Sequence, residues 1–409
     1  MAQAAFEFSP LATLGDRPAD SRTGLVRGRP GNSDTRDTRQ ITEQPAGFDR
    51  TGFEIGWDHA HHRITPPLRH LHGHNPVRQG WDAGRAAFGA RTLRPTAAVR
   101  QWLALRLEAW LHGQVFEGVQ VNPHFLARID ATHCPVSRVP LTLSAALPTD
   151  ATVSRLNHAA AYAAGNLAVL SGRVASAQVG SDWATAQAHA DSLLAAATSV
   201  SGAGRSAAQA TTEINGLNAT EWARLAVLAS FATPLPHAQA ALLPLRVLPP
   251  NRTRVINPVQ ALQVMLTLQF TQAGFARRLL GLAVLMPSSE TRQAFQIFMH
   301  TLLARRLAVG QALDRPAMRL AMEDSWADAL VNRRWQRLAT RLTPAECEQL
   351  LQRASQRGLV VGGGQWVSTL AATEGWALEA GAVRQAGLAS VLVSRLDMAR
   401  SLGSQNLAS

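Results

Sequence analysis

Two stretches decide the local fold in the middle of the chain: HCPVSRVPLTL (residues 133–143) and DATVSRLNHAAAYAAGNLAVLSGRVASAQ (residues 150–178). The first has the pattern of a short hairpin that Pro140 interrupts. Residues 151–156 alternate well enough to form a strand, Gly165 and Asn166 mark the end of a loop, and the last dozen residues can form a helix. The pattern therefore predicts a small α+β module with a hairpin, a strand, a loop and a helix.

The order and spacing of these residues resemble the HNH-type (ββα, or His-Me finger) endonucleases over about residues 131–180. Many members of that family have a Cys-x-x-[ST]-x-x-x-Leu hairpin, a strand that ends in Asp-His or Asp-Arg, a loop with Gly-Tyr-x-x-Gly-Asn, and a helix that ends in Asn-x-x-Lys. Tyr162, the only tyrosine of the chain, lies at the motif's tyrosine. The resemblance implies a ββα module in which the matching positions are Cys134, Ser137, Leu141, Arg155, Tyr162, Gly165 and Asn166. Its structural motif is Cys134, Leu141, Tyr162, Gly165 and Asn166.

The positions that carry the chemistry of such nucleases differ in this chain. In that family a histidine deprotonates the attacking water, and an aspartate with an Asn or His on the helix holds a divalent ion. In this chain Ser154 stands at the position of the aspartate and Arg155 at the position of the catalytic base. Ala175 stands at the position of the metal ligand on the helix, and Gln178 at that of the final lysine. Serine and alanine cannot replace a carboxylate or an imidazole as a metal ligand. We therefore expect a degenerate module that is weakly active or inactive as a nuclease.

An active metal-dependent endonuclease with relocated ligands is the alternative. Asp150 lies two strand periods before Ser154 and is therefore expected on the same strand face. His133 and His158 flank the hairpin and the strand. On this hypothesis the catalytic residues are Arg155, His158 and Asp150, and the cofactor is a divalent Mg or Zn ion. Without such ligands, Arg155 would contact a phosphate or anchor a loop. Whether the chain is an enzyme stays open at this point.

Six histidines lie within WDHAHHRITPPLRHLHGHN (residues 57–75). Imidazole is a common ligand of borderline metals, so this cluster is a second candidate site. Its candidate metal ligands are His59, His61, His70 and His72. The spacings match no known metalloenzyme signature. The alternative is a polar loop whose histidines pair with the backbone or stack on Trp57 and Trp81.

The charge of the chain favours a polyanionic partner. The net charge is +12, and all 40 basic residues are arginine. Two explanations account for the absence of lysine. Arginine binds phosphates through two parallel hydrogen bonds, and the coding bias of a GC-rich genome also favours arginine over lysine. Residues 205–409 have 21 arginines against 12 acidic residues, so most of the excess lies in the C-terminal half. We expect DNA or RNA as the partner, and the candidate contacts within the module are Arg138, Arg155 and Arg173.

Helices are predicted for most of the remaining chain. Residues 1–50 are poor in large apolar side chains and predict a disordered arm, whereas residues 51–130 are rich in Trp and His and include an amphipathic helix over about 96–112. Residues 183–409 show helix starts at Asn218, Asn257-Pro258 and Thr343-Pro344. The predicted fold class is mainly α. An HNH-like ββα module over residues 131–182 lies between a helical N-terminal region and an α-helical C-terminal domain.

Several functional classes are not supported. No stretch reaches the eighteen unbroken apolar residues of a bilayer crossing, and the N-terminus lacks the pattern of a secretion signal. Two cysteines cannot form a disulfide framework, and the glycine run 362–364 predicts a turn because no phosphate-loop signature surrounds it. We expect a cytoplasmic nucleic-acid-binding protein without a membrane partner. A helical half that binds a protein partner is the remaining hypothesis.

Overall fold

Helices account for most of the computed structural model, which describes residues 47–143, 147–202, 212–310, 314–360 and 372–378. The predicted mainly α class is confirmed, because these ranges contain fourteen α-helices and only two small antiparallel sheets of two strands each. Apart from its last four residues, the predicted arm over residues 1–50 lies outside the described residues, as does the glycine run 362–364.

Four α-helices and one short 3-10 helix form the N-terminal region: α1 (Phe48–His61), the 3-10 helix (Leu68–His70), α2 (Pro76–Phe88), α3 (Ala97–Leu111) and α4 (Pro123–Ile129). The helix predicted over about 96–112 is confirmed as α3, and its N-terminus is capped because the Thr96 side chain accepts a hydrogen bond from the Val99 amide at 3.3 Å. A Cβ atom on Gly80 of α2 would lie 1.9 Å from the Phe53 carbonyl oxygen of α1. Glycine at this position therefore allows the two helices to approach closely.

The middle of the chain contains strand β1 (Ala151–Arg155), strand β2 (Leu167–Ser171) and helix α5 (Gly172–Gln178). The strands pair in an antiparallel fashion, with Ala151 opposite Ser171 and Arg155 opposite Leu167. The strand predicted over 151–156 is confirmed. The helix predicted over the last dozen residues is confirmed only as α5, and it is wrong over Leu167–Ser171, which form β2 instead. All five of its residues are buried, so it lacks the alternation by which a half-exposed strand is identified.

The segment predicted as a hairpin around Cys134 folds back through a tight turn without forming extended strands. The Cys134 amide donates to the Val139 carbonyl at 3.0 Å, and the Leu141 amide donates to the Thr132 carbonyl at 2.9 Å. The strand pair of the module is thus formed by β1 and β2, on either side of the loop from Leu156 to Asn166.

Nine helices follow in the described part of the C-terminal half, with a short sheet of strands β3 (Glu213–Ile214) and β4 (Leu217–Asn218) and a 3-10 helix (Ser325–Ala327). The helices are α6 (Trp183–Gly202), α7 (Ala219–Phe231), α8 (His237–Leu242), α9 (Pro258–Gln269), α10 (Phe275–Val284), α11 (Ser289–Ala308), α12 (Arg315–Asp324), α13 (Ala329–Ala339) and α14 (Pro344–Gln356).

The three helix starts predicted in this half are confirmed. Asn218 and Thr343 both form capping boxes, in which the cap side chain accepts from the third helical amide and the glutamate at that position accepts from the cap amide. Asn257 begins α9 with Pro258 in the first turn. These local signals were sufficient because a cap satisfies backbone groups of its own helix and needs no distant partner.

One hydrophobic cluster joins the module to the C-terminal helices. It includes Cys134 and Leu170 from the module together with Trp222, Phe298 and Trp335 from the helices, each at most 1% exposed. A second cluster joins Val153, Leu167 and Val169 of the module to α3 and α4 of the N-terminal region, so the module packs against helices on both sides. In the described residues no helix has both the length and the apolar character needed to span a bilayer.

Candidate functional site

A cleft of about 430 Å³ lies where β1, the loop after it and α5 meet. The residues that line it from the module include Ser154, Arg155, His158, Tyr162 and Ala175. Ser154, Arg155 and Ala175 occupy the acidic, base and helix-ligand positions of the resembled motif. The three positions at which that motif carries its chemistry therefore face one common space.

Contacts within the chain hold the Arg155 side chain in the wall of this cleft. Its Nη1 atom lies 2.9 Å from Gln114 Oε1 and 3.0 Å from the carbonyl oxygens of His158 and Ala160. Its guanidinium also lies 4.5 Å from the centre of the Tyr162 ring. Burial lowers the pKa of Arg155 from its ordinary value. The arginine is thus a loop anchor that places a positive charge in the cleft wall.

His158 lies next to this charge and is mostly buried. Burial, and then the neighbouring Arg155 cation, lower the pKa of the His158 imidazole to about 4. Its Nε2 atom is buried and has no hydrogen-bond partner among the described residues. The imidazole is therefore neutral at pH 7, and it is a weak base because its conjugate acid is destabilised.

The loop that carries His158 is closed by Asn166, whose side chain is fully buried. Its Oδ1 accepts from the Asn157 amide at 2.8 Å, and its Nδ2 donates to the carbonyls of Asn157 at 3.0 Å and Ala161 at 2.9 Å. Gly165 precedes it with a φ of +93°, and a Cβ there would lie 2.5 Å from the Arg254 side chain. Both residues of this Gly-Asn pair therefore serve the shape of the loop.

Tyr162 attaches the same loop to the segment that follows α3. Its amide donates to the Val115 carbonyl at 2.9 Å, and its ring centre lies 6.2 Å from that of Phe116. Burial raises the pKa of the Tyr162 hydroxyl. Cys134 is 1% exposed, and Leu141 packs half-buried against the same core. Of these side chains, Tyr162 lines the cleft, whereas Cys134 and Leu141 pack in the hydrophobic core.

The ligands proposed for a relocated metal site do not meet. The Asp150 carboxylate accepts from the Thr142 hydroxyl at 2.6 Å and from the Leu147 amide at 2.8 Å. The exposed His133 pairs with the hydroxyl of its neighbour Thr132 at 3.0 Å. Of the proposed residues, Arg155 and His158 line the cleft, whereas Asp150 and His133 are outside its wall.

The two other arginines proposed to contact nucleic acid are bound to acidic residues of the helical half. Arg138 donates to both carboxylate oxygens of Asp324, at 2.8 and 2.7 Å, and to Glu323 at 3.2 Å. Arg173 pairs with Glu221 at the start of α7. Glu323 is 3% exposed, and its burial raises the pKa of its carboxyl group. Both arginines therefore link the module to the helices.

The histidines of the N-terminal region are dispersed among separate contacts. His59 is buried and its Nδ1 donates to the Ile55 carbonyl at 2.8 Å. His61 stacks on Phe88, while His70 is buried and accepts from Arg69 Nε at 2.9 Å. His72 is exposed. Burial lowers the pKa of His59 and His70. Across the described residues, no three His, Cys, Asp or Glu side chains are grouped so that they could hold a metal ion.

Glu108, His112 and Gln114 also line the cleft and were missed by the sequence prediction. Glu108 lies on α3 and His112 is the residue that ends this helix, so their spacing of four residues predicts a shared helix face. The sequence contains no signal that this face lies against the module more than forty residues later.

No family model matches the chain, and neither the curated proteins nor the solved structures include a significant match to it.

Proposed function

We propose that this chain is a nucleic-acid-binding protein built around a degenerate HNH-like (ββα) module that has lost metal-dependent hydrolysis. One observation carries the proposal: Ser154, Arg155 and Ala175 line the same cleft. In an HNH-type nuclease this space would contain the base and the metal ligands. The strand, loop, strand and helix order of β1, β2 and α5 supports the same assignment.

The side chains at the motif positions do not fit a divalent ion, because they supply a hydroxyl, a guanidinium and a methyl group, whereas a hard cation requires several convergent oxygen or imidazole donors. The cleft also contains Glu108, His112 and His158, but no three His, Cys, Asp or Glu side chains of the described residues are grouped so that they could hold a metal ion. The Arg155 cation would also repel a metal ion bound beside it. We therefore assign no catalytic step to the cleft and treat the module as a retained scaffold.

The charge of the helical half supports nucleic-acid binding. The chain has a net charge of +12, and the excess of arginine is largest over residues 205–409. Arg138, Arg155 and Arg173 of the module are bound within the chain, so the phosphate contacts would come mainly from other arginines. Cys134 and Cys347 are buried free thiols, a state that fits the reducing cytoplasm as the place of action.

Fluorescence anisotropy with a labelled 20-base-pair DNA duplex tests the proposal. We expect binding at about 50 mM salt and a steep fall in affinity by about 200 mM, because neutralised phosphates release counterions. Failure to bind at about 50 mM salt would overturn the proposed function.

The same preparation is incubated with plasmid DNA and Mg²⁺ or Zn²⁺, and we expect no cleavage. Cleavage that disappears in an Asp150→Ala, His158→Ala double variant would instead establish the relocated nuclease. Cleavage that is unchanged in this variant would point to a contaminating nuclease and leave the proposal standing.

A further inference from the structure

Helix α13 and the turn after it present an uninterrupted row of positive charge. The row, which we call the α13 stripe, consists of Arg333, Arg334, Arg337 and Arg341. Spacings of three and four residues place these side chains on one helix face. Trp335 and Leu338 are buried on the opposite face, whereas three of the four arginines are exposed. Between Asp328 and Glu346 the sequence has no acidic residue.

The guanidinium groups of Arg333, Arg334 and Arg337 have no partner among the described residues. The nearest carboxylate in sequence, Asp328, is already engaged. It accepts from the Leu330 amide at 2.7 Å and the Val331 amide at 3.2 Å at the start of α13, and it pairs with Arg305 of α11. The stripe is thus positive charge that no carboxylate of the described residues neutralises.

A groove of about 470 Å³ runs beside the stripe, between α11 and α13. Arg334 lines it from α13, and His300, Thr301 and Arg305 line it from α11. Arg305 is paired with Asp328, and the Thr301 hydroxyl donates to the Ile297 carbonyl at 2.8 Å. The groove therefore gives the stripe a concave polar floor, and the unpaired positive charge comes from the stripe itself.

We infer that the α13 stripe and this groove form the surface that binds the phosphate backbone of a nucleic-acid duplex, an inference that rests on the proposed function. Arg333 and Arg337 are about 6 Å apart along the axis of α13, because each residue rises about 1.5 Å, and Arg341 lies in the turn directly after the helix. One strand of a duplex has a phosphate about every 3.4 Å of its axis, so the two helical arginines alone span about two phosphates and Arg341 extends the row.

A duplex fits better than a single strand because α11 and α13 expose no Phe, Tyr or Trp ring on this surface as a stacking platform. Proteins that bind single strands stack bases on exposed aromatic rings. The aromatic side chains Phe295 and Phe298 of α11 and Trp335 of α13 are at most 1% exposed. Contacts from guanidinium groups to phosphates alone carry no sequence information, so the binding is independent of sequence.

The test compares two double variants that remove the same charge. Arg333→Gln/Arg337→Gln removes two charges from the stripe, and Arg85→Gln/Arg91→Gln removes two charges from exposed arginines of the N-terminal region. Affinity for the labelled DNA duplex is measured by anisotropy from about 50 to 200 mM salt. We expect the stripe variant to bind about tenfold or more weakly at 200 mM, with a slope of log K against log salt that is smaller by about 1.8. The N-terminal control should stay within about twofold of wild type.

Two results of this comparison would overturn the inference. Equal losses of affinity in both variants would show that only net charge matters. A loss of affinity confined to the control would place the binding surface on the N-terminal region. Unchanged binding by the stripe variant also overturns the inference but leaves the proposed function standing, whereas no binding by the wild type overturns the proposed function itself.

Tighter binding to a 20-nucleotide single strand than to the duplex would overturn the choice of ligand. A duplex RNA arm tests whether the surface distinguishes the two backbones, and comparable affinity is expected because both offer phosphates. Glutamine keeps a high helix propensity at these exposed positions, and circular dichroism checks that each variant remains folded.

Discussion

Arginines of the module and arginines of the α13 stripe differ in what surrounds them. Arg138 and Arg173 are bound by carboxylates from distant helices, and Arg155 is bound by an amide oxygen and two backbone carbonyls. Arg333 and Arg337 are exposed and have no such partner among the described residues. The number of arginines in a segment therefore does not identify a nucleic-acid surface, because the partners of each guanidinium decide whether it is available to a ligand.

The two groups also contribute differently to the free energy of folding. A buried arginine loses the hydration free energy of its guanidinium group, and hydrogen bonds and opposite charges within the fold must compensate for it. An exposed arginine keeps its hydration and remains available to a ligand, while its like-charged neighbours repel it weakly. Substitutions in the module should therefore change stability, whereas substitutions in the stripe should change binding.

The largest effect is expected for Asn166→Ala. The variant leaves the Asn157 amide and the carbonyls of Asn157 and Ala161 without their partner in a buried loop, which should cost about 4 kcal/mol of unfolding free energy. Urea denaturation measures the loss. Thr152→Ala, at an exposed position of β1, is the control and should cost less than about 1 kcal/mol. A loss below about 1 kcal/mol for Asn166→Ala would show that other contacts hold the loop.

The pH dependence of stability tests the environment of His158. The folded state holds its pKa at about 4, below the ordinary value of 6.5. The unfolded chain therefore binds the proton first, and stability present above pH 6.5 is lost as pH falls towards 4, by about 3 kcal/mol. In His158→Gln this part of the loss should disappear from denaturation curves recorded between pH 7 and 4. His72→Gln replaces an exposed histidine and should reproduce the wild-type curve; an unchanged curve for His158→Gln would contradict the buried environment.

An intermediate effect is expected for Arg138→Ala, which removes the link between the module and α12. The buried Glu323 and its neighbour Asp324 would lose their shared cation. Because Asp324 is half-exposed, we expect a loss of about 2 kcal/mol, less than for a fully buried pair. Adding Glu323→Gln should recover part of this loss, since a neutral amide needs no counter-charge. No loss in the single variant would mean that Arg138 is as free as the arginines of the stripe.

The smallest effect on stability is expected for Arg333→Gln/Arg337→Gln. Arginines one turn apart repel each other, so at low salt the variant should be as stable as the wild type or more stable by about 0.3 kcal/mol. Thermal unfolding with added salt should remove the difference, because exposed charges are screened. A loss of more than about 1 kcal/mol would reveal a structural role for the stripe and erase its contrast with the module.

The mainly α class, the helix starts at Asn218, Asn257 and Thr343, and strand β1 could all be predicted from the amino-acid sequence. Each of these depends on residues close together in the chain, such as a cap and its first turn or an alternating strand. The Gly-Asn pattern at 165–166 also predicted a loop end correctly, since the left-handed φ of Gly165 is a local backbone property.

The remaining features depend on contacts between distant parts of the chain and could not be predicted from the sequence. Strand β2 is buried on both faces and has no periodic signal of its own, and the close contact of α1 with α2 depends on Gly80 meeting a backbone carbonyl. Glu108 joins the cleft from α3, and Asp324 binds Arg138 from 186 residues away. Burial and side-chain contacts are properties of the folded chain. Packing brings together residues that are far apart in sequence, and no local pattern indicates which of them will meet.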